Sequence, residues 1–139
     1  MAQVIILTSV YRVEQEKAQQ PMAINREQTI ERMRAWARRA QSEAEYADTR
    51  ADALNWRGQA QALNGVASFL SEQGAQLDDF AVWSQVVADR EKARLAWIEA
   101  QEGPNVDSYS GRVAGFDVAL TALKDVDNVV WPRFEPHIG

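Results

Sequence analysis

The side chains that could support chemistry in this chain are carboxylates, because cysteine is absent and His137 is the single histidine. Two pairs of aspartates stand close in sequence, Asp78 with Asp79 and Asp125 with Asp127. Such pairs can bind a divalent cation, but both lie where helices are expected to end, and capping and solvation account for them there. Bundles with di-metal carboxylate sites also need Glu-x-x-His pairs, which this sequence lacks. We therefore expect no catalytic residue, no metal site and no cofactor.

The glycine-containing segment GRVAG at 111–115 does not change this expectation. It lacks the lysine of a phosphate-binding loop, and no strand is expected before it. A Ser-His-Asp triad would have to use His137, close to the C-terminal end. The sequence thus indicates a protein that is not an enzyme.

A basic and aromatic segment, RMRAWARR at 32–39, is the clearest candidate for binding another protein. Arg32 and Arg39 lie one heptad apart with Trp36 between them, so they could dock on an acidic surface. The simpler interpretation, which we favour, is a solvated helix face whose charge is offset by nearby glutamates or by the acidic half of the chain. The predicted interaction residues also include other tryptophans. The full set is Arg32, Trp36, Arg39, Trp83, Trp97 and Trp131.

Charge is distributed unevenly along the chain, whose net charge is −5. Residues 1–57 carry nine basic and eight acidic side chains, whereas residues 58–139 carry six and twelve. This balance argues against binding nucleic acid through its phosphates, although the acidic half could imitate nucleic acid. No stretch reaches the ~20 apolar residues of a membrane span, and the N-terminal residues make a poor signal peptide. We expect a cytoplasmic protein of the producing cell, with incorporation into a virion left open.

The elements that would position these residues are mainly helices. Asn25 is a suitable N-cap, and neither glycine nor proline follows until Gly58, so the pattern predicts one long helix over about 26–72. One face of it is a seam of small apolar residues at heptad spacing: Ile30, Met33, Ala37, Ala40, Ala44, Ala47, Ala51 and Leu54. A second apolar stripe runs from Tyr46 to Leu70. The seam predicts close packing against other helices.

Two shorter helices are expected to follow, antiparallel to each other. Asp78 and Asp79 cap the first, and Gly103-Pro104 ends it, with glycine as a left-handed cap. Asp107 or Ser108 opens the second.

Extended arms are expected at both ends of the chain. Residues 4–13 read as a strand that must pair with the C-terminal arm, with a second copy or with another protein. The predicted organisation is an N-terminal arm over 1–21, a helical bundle over 22–127 and an extended tail over 128–139.

An internal repeat relates GQAQALNGVASFL at 58–70 to GRVAGFDVALTAL at 111–123, at an offset of 53 residues. Glycine within a helix costs ~1 kcal/mol relative to alanine, so glycines at equivalent places need a reason. We expect Gly58, Ala62, Gly111 and Gly115 to be helix-packing residues that admit a neighbouring backbone. A complete duplication would make each unit a helical hairpin and break the long helix near 50–55. Chance similarity between two amphipathic helices is the alternative.

The segment WRGQAQALNGV at 56–66 resembles a pattern of small uncharacterised helical proteins of actinobacterial phages, an aromatic-x-Gly followed by Ala-Leu and an apolar helix face. The resemblance covers about a tenth of the chain and carries over no functional residue. It implies a phage-encoded accessory, assembly or host-interaction protein.

We therefore expect a non-enzymatic protein-interaction or assembly component that acts through helix faces and strand-like arms. Self-association into a homo-oligomer through added strands is the partner that we expect. The alternative is a soluble phage inhibitor or adaptor that binds a single host protein through the acidic C-terminal half.

Overall fold

The computed structural model describes residues 24–101 and 103–124, and the described part is an all-α helical bundle. Helix α1 runs over Arg26–Glu45 and helix α2 over Arg50–Ser71. A short 3₁₀ helix, Gln73–Gln76, precedes helix α3 over Asp79–Ala100. Helix α4 covers Val106–Lys124.

The expectation of one long helix over 26–72 is wrong, because the chain breaks between α1 and α2. The backbone N–H of Tyr46 closes the last turn of α1 on the Ser42 carbonyl. Thr49 then starts a new helix, since its hydroxyl accepts a hydrogen bond of 3.1 Å from the Asp52 backbone N–H. A side-chain cap can begin a helix without any glycine or proline. The predicted second apolar stripe is therefore wrong at its first residue, because Tyr46 lies at the end of α1 and is 82% exposed.

Both halves of the described chain are helical hairpins, α1 with α2 and α3 with α4. The first helices of the two hairpins begin at Arg26 and Asp79, and the second helices end at Ser71 and Lys124. Both separations are the 53 residues of the sequence repeat. The alternative left open by the sequence, a duplicated hairpin, matches these bounds.

Helix α2 lies at the centre of the bundle, packed against α4 on one side and α1 on the other, while α3 packs against α4. The predicted seam is buried along α1, where Met33, Ala37 and Ala40 are fully inaccessible. The core continues through α2 and α4 and ends on α3. Its larger fully buried members are Met33, Leu63, Leu70, Val82, Val86, Val118 and Leu123.

The starts of α1 and α3 follow the predicted caps, whereas α4 begins at Val106, before the predicted Asp107 or Ser108. Asn25 caps α1 by accepting from the Gln28 backbone N–H at 3.2 Å, and Asp78 caps α3 by accepting from Ala81 at 2.7 Å. Gly103 is not the left-handed cap of α3. The positive φ at this end of α3 is found at Gln101, at 47°.

Several predictions fall on residues outside those described. They are the strand at 4–13, the arms at 1–21 and 128–139, Trp131, His137 and the pair Asp125 and Asp127.

Candidate protein-interaction surfaces

The two repeated glycine segments face each other where α2 crosses α4. A Cβ added at Gly58 would meet the Ser108 carbonyl oxygen, and one added at Gly111 would meet the Asn55 carbonyl oxygen. Ser108 is the repeat equivalent of Asn55, as Gly111 is of Gly58. The contact is thus reciprocal, as in an interface between two subunits related by a two-fold axis.

Close approach continues one turn further along the same crossing. A Cβ on Gly115 would lie 2.7 Å from the Gln59 carbonyl oxygen and 2.8 Å from the Ala62 Cβ. Gly58, Gly111, Gly115 and Ala62 therefore sit where the two helix backbones come together. Such residues hold the hairpins together and are covered by the chain itself, so they offer no surface to a partner.

A direct contact between repeat equivalents joins the starts of α1 and α3. Arg26 and its equivalent Asp79 form an ion pair at 3.1 Å. The Arg26 guanidinium also donates to the Gly74 carbonyl at 2.7 Å and to the Leu77 carbonyl, and Asp79 accepts from the Ile24 backbone N–H at 3.0 Å. The carboxylate of Asp79 is thus used inside the fold. Sequence reasoning missed this pair, although both residues occupy the first position of their helices.

We expect Arg26→Gln to lower the free energy of unfolding by about 2 kcal/mol, because it removes charge-assisted hydrogen bonds to the connection between α2 and α3. Arg57→Gln on the exposed face of α2 is the matched control and should change stability by less than about 0.5 kcal/mol. Urea unfolding of both variants checks this. Equal midpoints for the two would mean that Arg26 does not hold the connection in solution.

The structure separates the members of the predicted segment 32–39. Arg32 and Arg39 are exposed on α1, whereas Trp36 is half-buried and packs against the hydrophobic core. An indole that stabilises the core cannot be inserted freely into a partner. The docking of Arg32 and Arg39 on an acidic surface stays a prediction, in which Trp36 can take only a limited part.

The two other tryptophans predicted to bind a partner and lying in the described part of the chain, Trp83 and Trp97, differ from each other in the same way. Trp83 is half-buried against the core, and the Lys124 ammonium lies 5.2 Å from its ring centroid. Trp97 is 41% exposed. Of the two, Trp97 is therefore the one that presents its ring to solvent, near the end of α3.

Large exposed apolar side chains are concentrated on α3, a feature that sequence reasoning did not single out. Val87 is 40% exposed, and Leu95 and Ile98 are each 50% exposed. The three side chains stand on the side of α3 opposite its buried residues, Val82, Val86 and Ala93. We call Val87, Leu95 and Ile98 the α3 outer face. A helix that is apolar on two sides normally packs between two neighbours.

The repeat supplies a control for this face, because α1 occupies the equivalent place in the first hairpin. The equivalents of Val87, Leu95 and Ile98 are Arg34, Ser42 and Glu45, all of which are exposed. The fold thus accepts polar residues at these positions. Packing among the described residues 24–101 and 103–124 does not account for apolar residues there on α3.

An ion pair divides the α3 outer face into two parts. Glu91 and Arg94 lie between Val87 and Ile98 and are joined by a hydrogen bond of 2.6 Å. This hydrogen bond holds the pKa of the Glu91 carboxyl below its ordinary value and raises the pKa of Arg94. Both groups therefore stay charged on the surface.

Several acidic side chains of the second half form hydrogen bonds or ion pairs within the chain. Asp117 pairs with Arg90, and Asp89 accepts from the Gln85 amide at 3.1 Å. With Asp78 used as a cap, Asp79 paired to Arg26 and Glu91 paired to Arg94, few carboxylates of α3 and α4 remain for an acidic binding surface.

A groove of about 540 Å³ lies between α2, α3 and α4. Inside it the Arg112 side chain donates to the Gln61 amide oxygen at 3.1 Å, and its guanidinium lies 5.4 Å from the Tyr109 ring centroid. These groups satisfy one another, and we assign the groove no chemistry.

Within residues 24–101 and 103–124, no three metal-binding side chains of the His, Cys, Asp or Glu type come together. In the same part of the chain, no helix has both the length and the apolar character needed to cross a membrane. Comparison with known proteins gives no match to a family model, to a curated protein or to a solved structure.

Proposed function

We propose that this chain is a non-enzymatic, phage-encoded protein-interaction component that binds its partner through the α3 outer face. The observation that carries the proposal is the contrast between two equivalent helices. Large apolar side chains stand exposed on α3 at three positions where α1 has arginine, serine and glutamate. Exposing such side chains together favours association, because burial recovers roughly 25 cal/mol for each Å² of apolar surface.

The proposal shifts the interaction site away from the basic segment at 32–39. Trp36 is partly used by the core. Trp97 is 41% exposed but follows the buried Ala93 by four residues, so it lies on that side of α3 and outside the proposed site.

The experiment transfers the residues of α1 to α3 as Val87→Arg, Leu95→Ser and Ile98→Glu together. Because α1 carries these residues at equivalent exposed positions, the variant should fold, which circular dichroism checks. An amine-reactive cross-linker applied in the producing cell then reports what lies beside Lys92, next to the outer face. We expect protein cross-links at Lys92 to fall at least tenfold.

The matched control changes the same number of residues on α1, as Arg34→Ala, Ser42→Ala and Glu45→Ala. It should leave the Lys92 cross-links at the wild-type level. Cross-links that survive in the α3 variant, or disappear in the α1 control, would contradict an interaction through the α3 outer face.

Assembly through strand-like arms is the other part of the proposed function and concerns residues 1–21 and 128–139. A chain that lacks residues 1–20 and 128–139 distinguishes the two routes. If the α3 outer face is sufficient, the shortened chain retains the Lys92 cross-links. If the shortened chain loses both the Lys92 cross-links and the oligomers formed by the full chain, the interaction belongs to the arms instead.

A further inference from the structure

We infer that the partner of the α3 outer face is a second copy of this chain, with the two α3 helices antiparallel. The inference rests on the function proposed above and names the partner of that site. It depends on the order of residues along α3. When a second α3 runs in the opposite direction, apolar residues face apolar residues and acids face bases.

The outward side of α3 has the spacing of a helix-pairing seam. Ser84, Val87, Glu91, Arg94 and Ile98 follow one another at steps of three, four, three and four residues. This alternation keeps side chains along one stripe of a helix, where a second helix can pack against all of them. Leu95 lies beside the stripe and widens its apolar part.

A two-fold axis at the level midway between Lys92 and Ala93 pairs four of the five seam residues, Val87, Glu91, Arg94 and Ile98, with suitable ones of the second copy. Val87 then faces Ile98 of the second copy, and Glu91 faces Arg94 of the second copy. Each contact occurs twice, as a two-fold interface requires. Apolar side chains meet apolar ones, and each acid meets a base.

A parallel arrangement of the same two helices is disfavoured by charge. It would place Glu91 against Glu91 and Arg94 against Arg94, and like charges across an interface are repulsive. In the antiparallel arrangement the two intrachain pairs become a cluster of four alternating charges. The charges on the seam therefore select the antiparallel direction.

The net charge of −5 on each chain does not prevent this pairing. The seam itself carries one acid and one base and is neutral. Charges further away than about 8 Å are largely screened at physiological salt. Because Val87 and Ile98 are only ~16 Å apart along the helix, the interface is modest, and we expect a concentration-dependent dimer.

The full chain with single charge reversals tests the inference by sedimentation equilibrium. Glu91→Arg places arginine at both seam positions, and Arg94→Glu places glutamate at both, so each variant alone should be a monomer where the wild type is a dimer. Mixed in equal amounts, the two should form a heterodimer. The double variant with both reversals should regain the homodimer.

Every other result overturns the inference. A wild type that remains a monomer at the highest concentration would do so, as would single variants that dimerise like the wild type or a mixture that stays monomeric. If the wild type is a monomer and removal of residues 1–20 produces a dimer, those residues occupy the face instead. The function proposed above would still stand if the Lys92 cross-links depended on the outer face, so the two failures are distinguishable.

The natural absence of cysteine allows an independent test of register. Val87→Cys combined with Ile98→Cys cannot close a disulfide within one helix, because ~16 Å far exceeds disulfide reach. Between antiparallel copies the two positions meet, and mild oxidation should give a covalent dimer in high yield. Val87→Cys with Glu99→Cys, which moves one cysteine off the seam, is the control. Equal yields from both pairs would contradict the proposed register.

Discussion

Gly111→Ala is expected to lower the free energy of unfolding by on the order of 3 kcal/mol. The added methyl group would meet the backbone of α2, where the carbonyl carbon and the Cα of Asn55 lie 2.8 and 2.9 Å from the Cβ position. Overpacking of a core side chain costs about 1–3 kcal/mol. Here the obstacle is a helix backbone, which cannot rotate away, so the cost should reach the top of that range.

Gly58→Ala should behave in the same way, because its contact is the reciprocal one. Its Cβ position lies 3.0 Å from the Arg112 backbone nitrogen and 3.1 Å from the Gly111 Cα. Either change would push α2 and α4 apart and loosen the joint between the two hairpins. A Gly58→Ala variant with wild-type stability would mean that the helices can separate at little cost.

Gly65→Ala is the matched control, since Gly65 lies in the same helix as Gly58 and nothing stands within 4 Å of its Cβ position. There alanine only improves helix propensity, and we expect stability to rise by about 0.5–1 kcal/mol. Urea unfolding of the three variants measures both effects. If the free energy of unfolding falls in Gly111→Ala and rises in Gly65→Ala, the effect of backbone contact is separated from the intrinsic cost of glycine in a helix.

The glycine pattern was readable from the sequence because it repeats. Helix propensity alone disfavours glycine, so two glycines at equivalent places in expected helices indicate a packing constraint. The structure locates that constraint at the crossing of α2 and α4. The helical class and the caps Asn25 and Asp78 were also readable, since they depend on local hydrogen bonds.

The break between α1 and α2 was missed because only glycine and proline were taken as stops. Thr49, with Asp52 three residues later, carries the signal, a hydroxyl that caps a new helix and an acid in its first turn. An unbroken helix would have left the small-residue seam of α1 uncovered. The hairpin covers it with α2 from the same chain.

The α3 outer face could not be predicted from periodicity. The apolar residues of α3 lie on more than one side, so the sequence shows an apolar helix without showing which side its neighbour covers. That depends on α3 packing against α4 at the edge of the bundle. Once the hairpins are superposed by the repeat, a comparison of Val87, Leu95 and Ile98 with their α1 equivalents identifies the face.

Leu63→Ala should lower the free energy of unfolding by about 3 kcal/mol. Leu63 is fully inaccessible at the centre of the core, and truncation of such a residue removes transfer energy and leaves a cavity. Its repeat equivalent, Phe116, is half-buried and borders the open groove between α2, α3 and α4.

Phe116→Ala should therefore cost less, about 1.5 kcal/mol, although phenylalanine is the larger side chain. Its truncation enlarges a groove that is already open at the surface and creates no closed cavity. Thermal or urea unfolding of the two variants compares them directly. If Phe116→Ala cost as much as Leu63→Ala, the groove would be closed in solution and the two hairpins would be equivalent in side-chain packing as well as in backbone. A twofold difference would instead place the departure from symmetry at the groove between α2, α3 and α4.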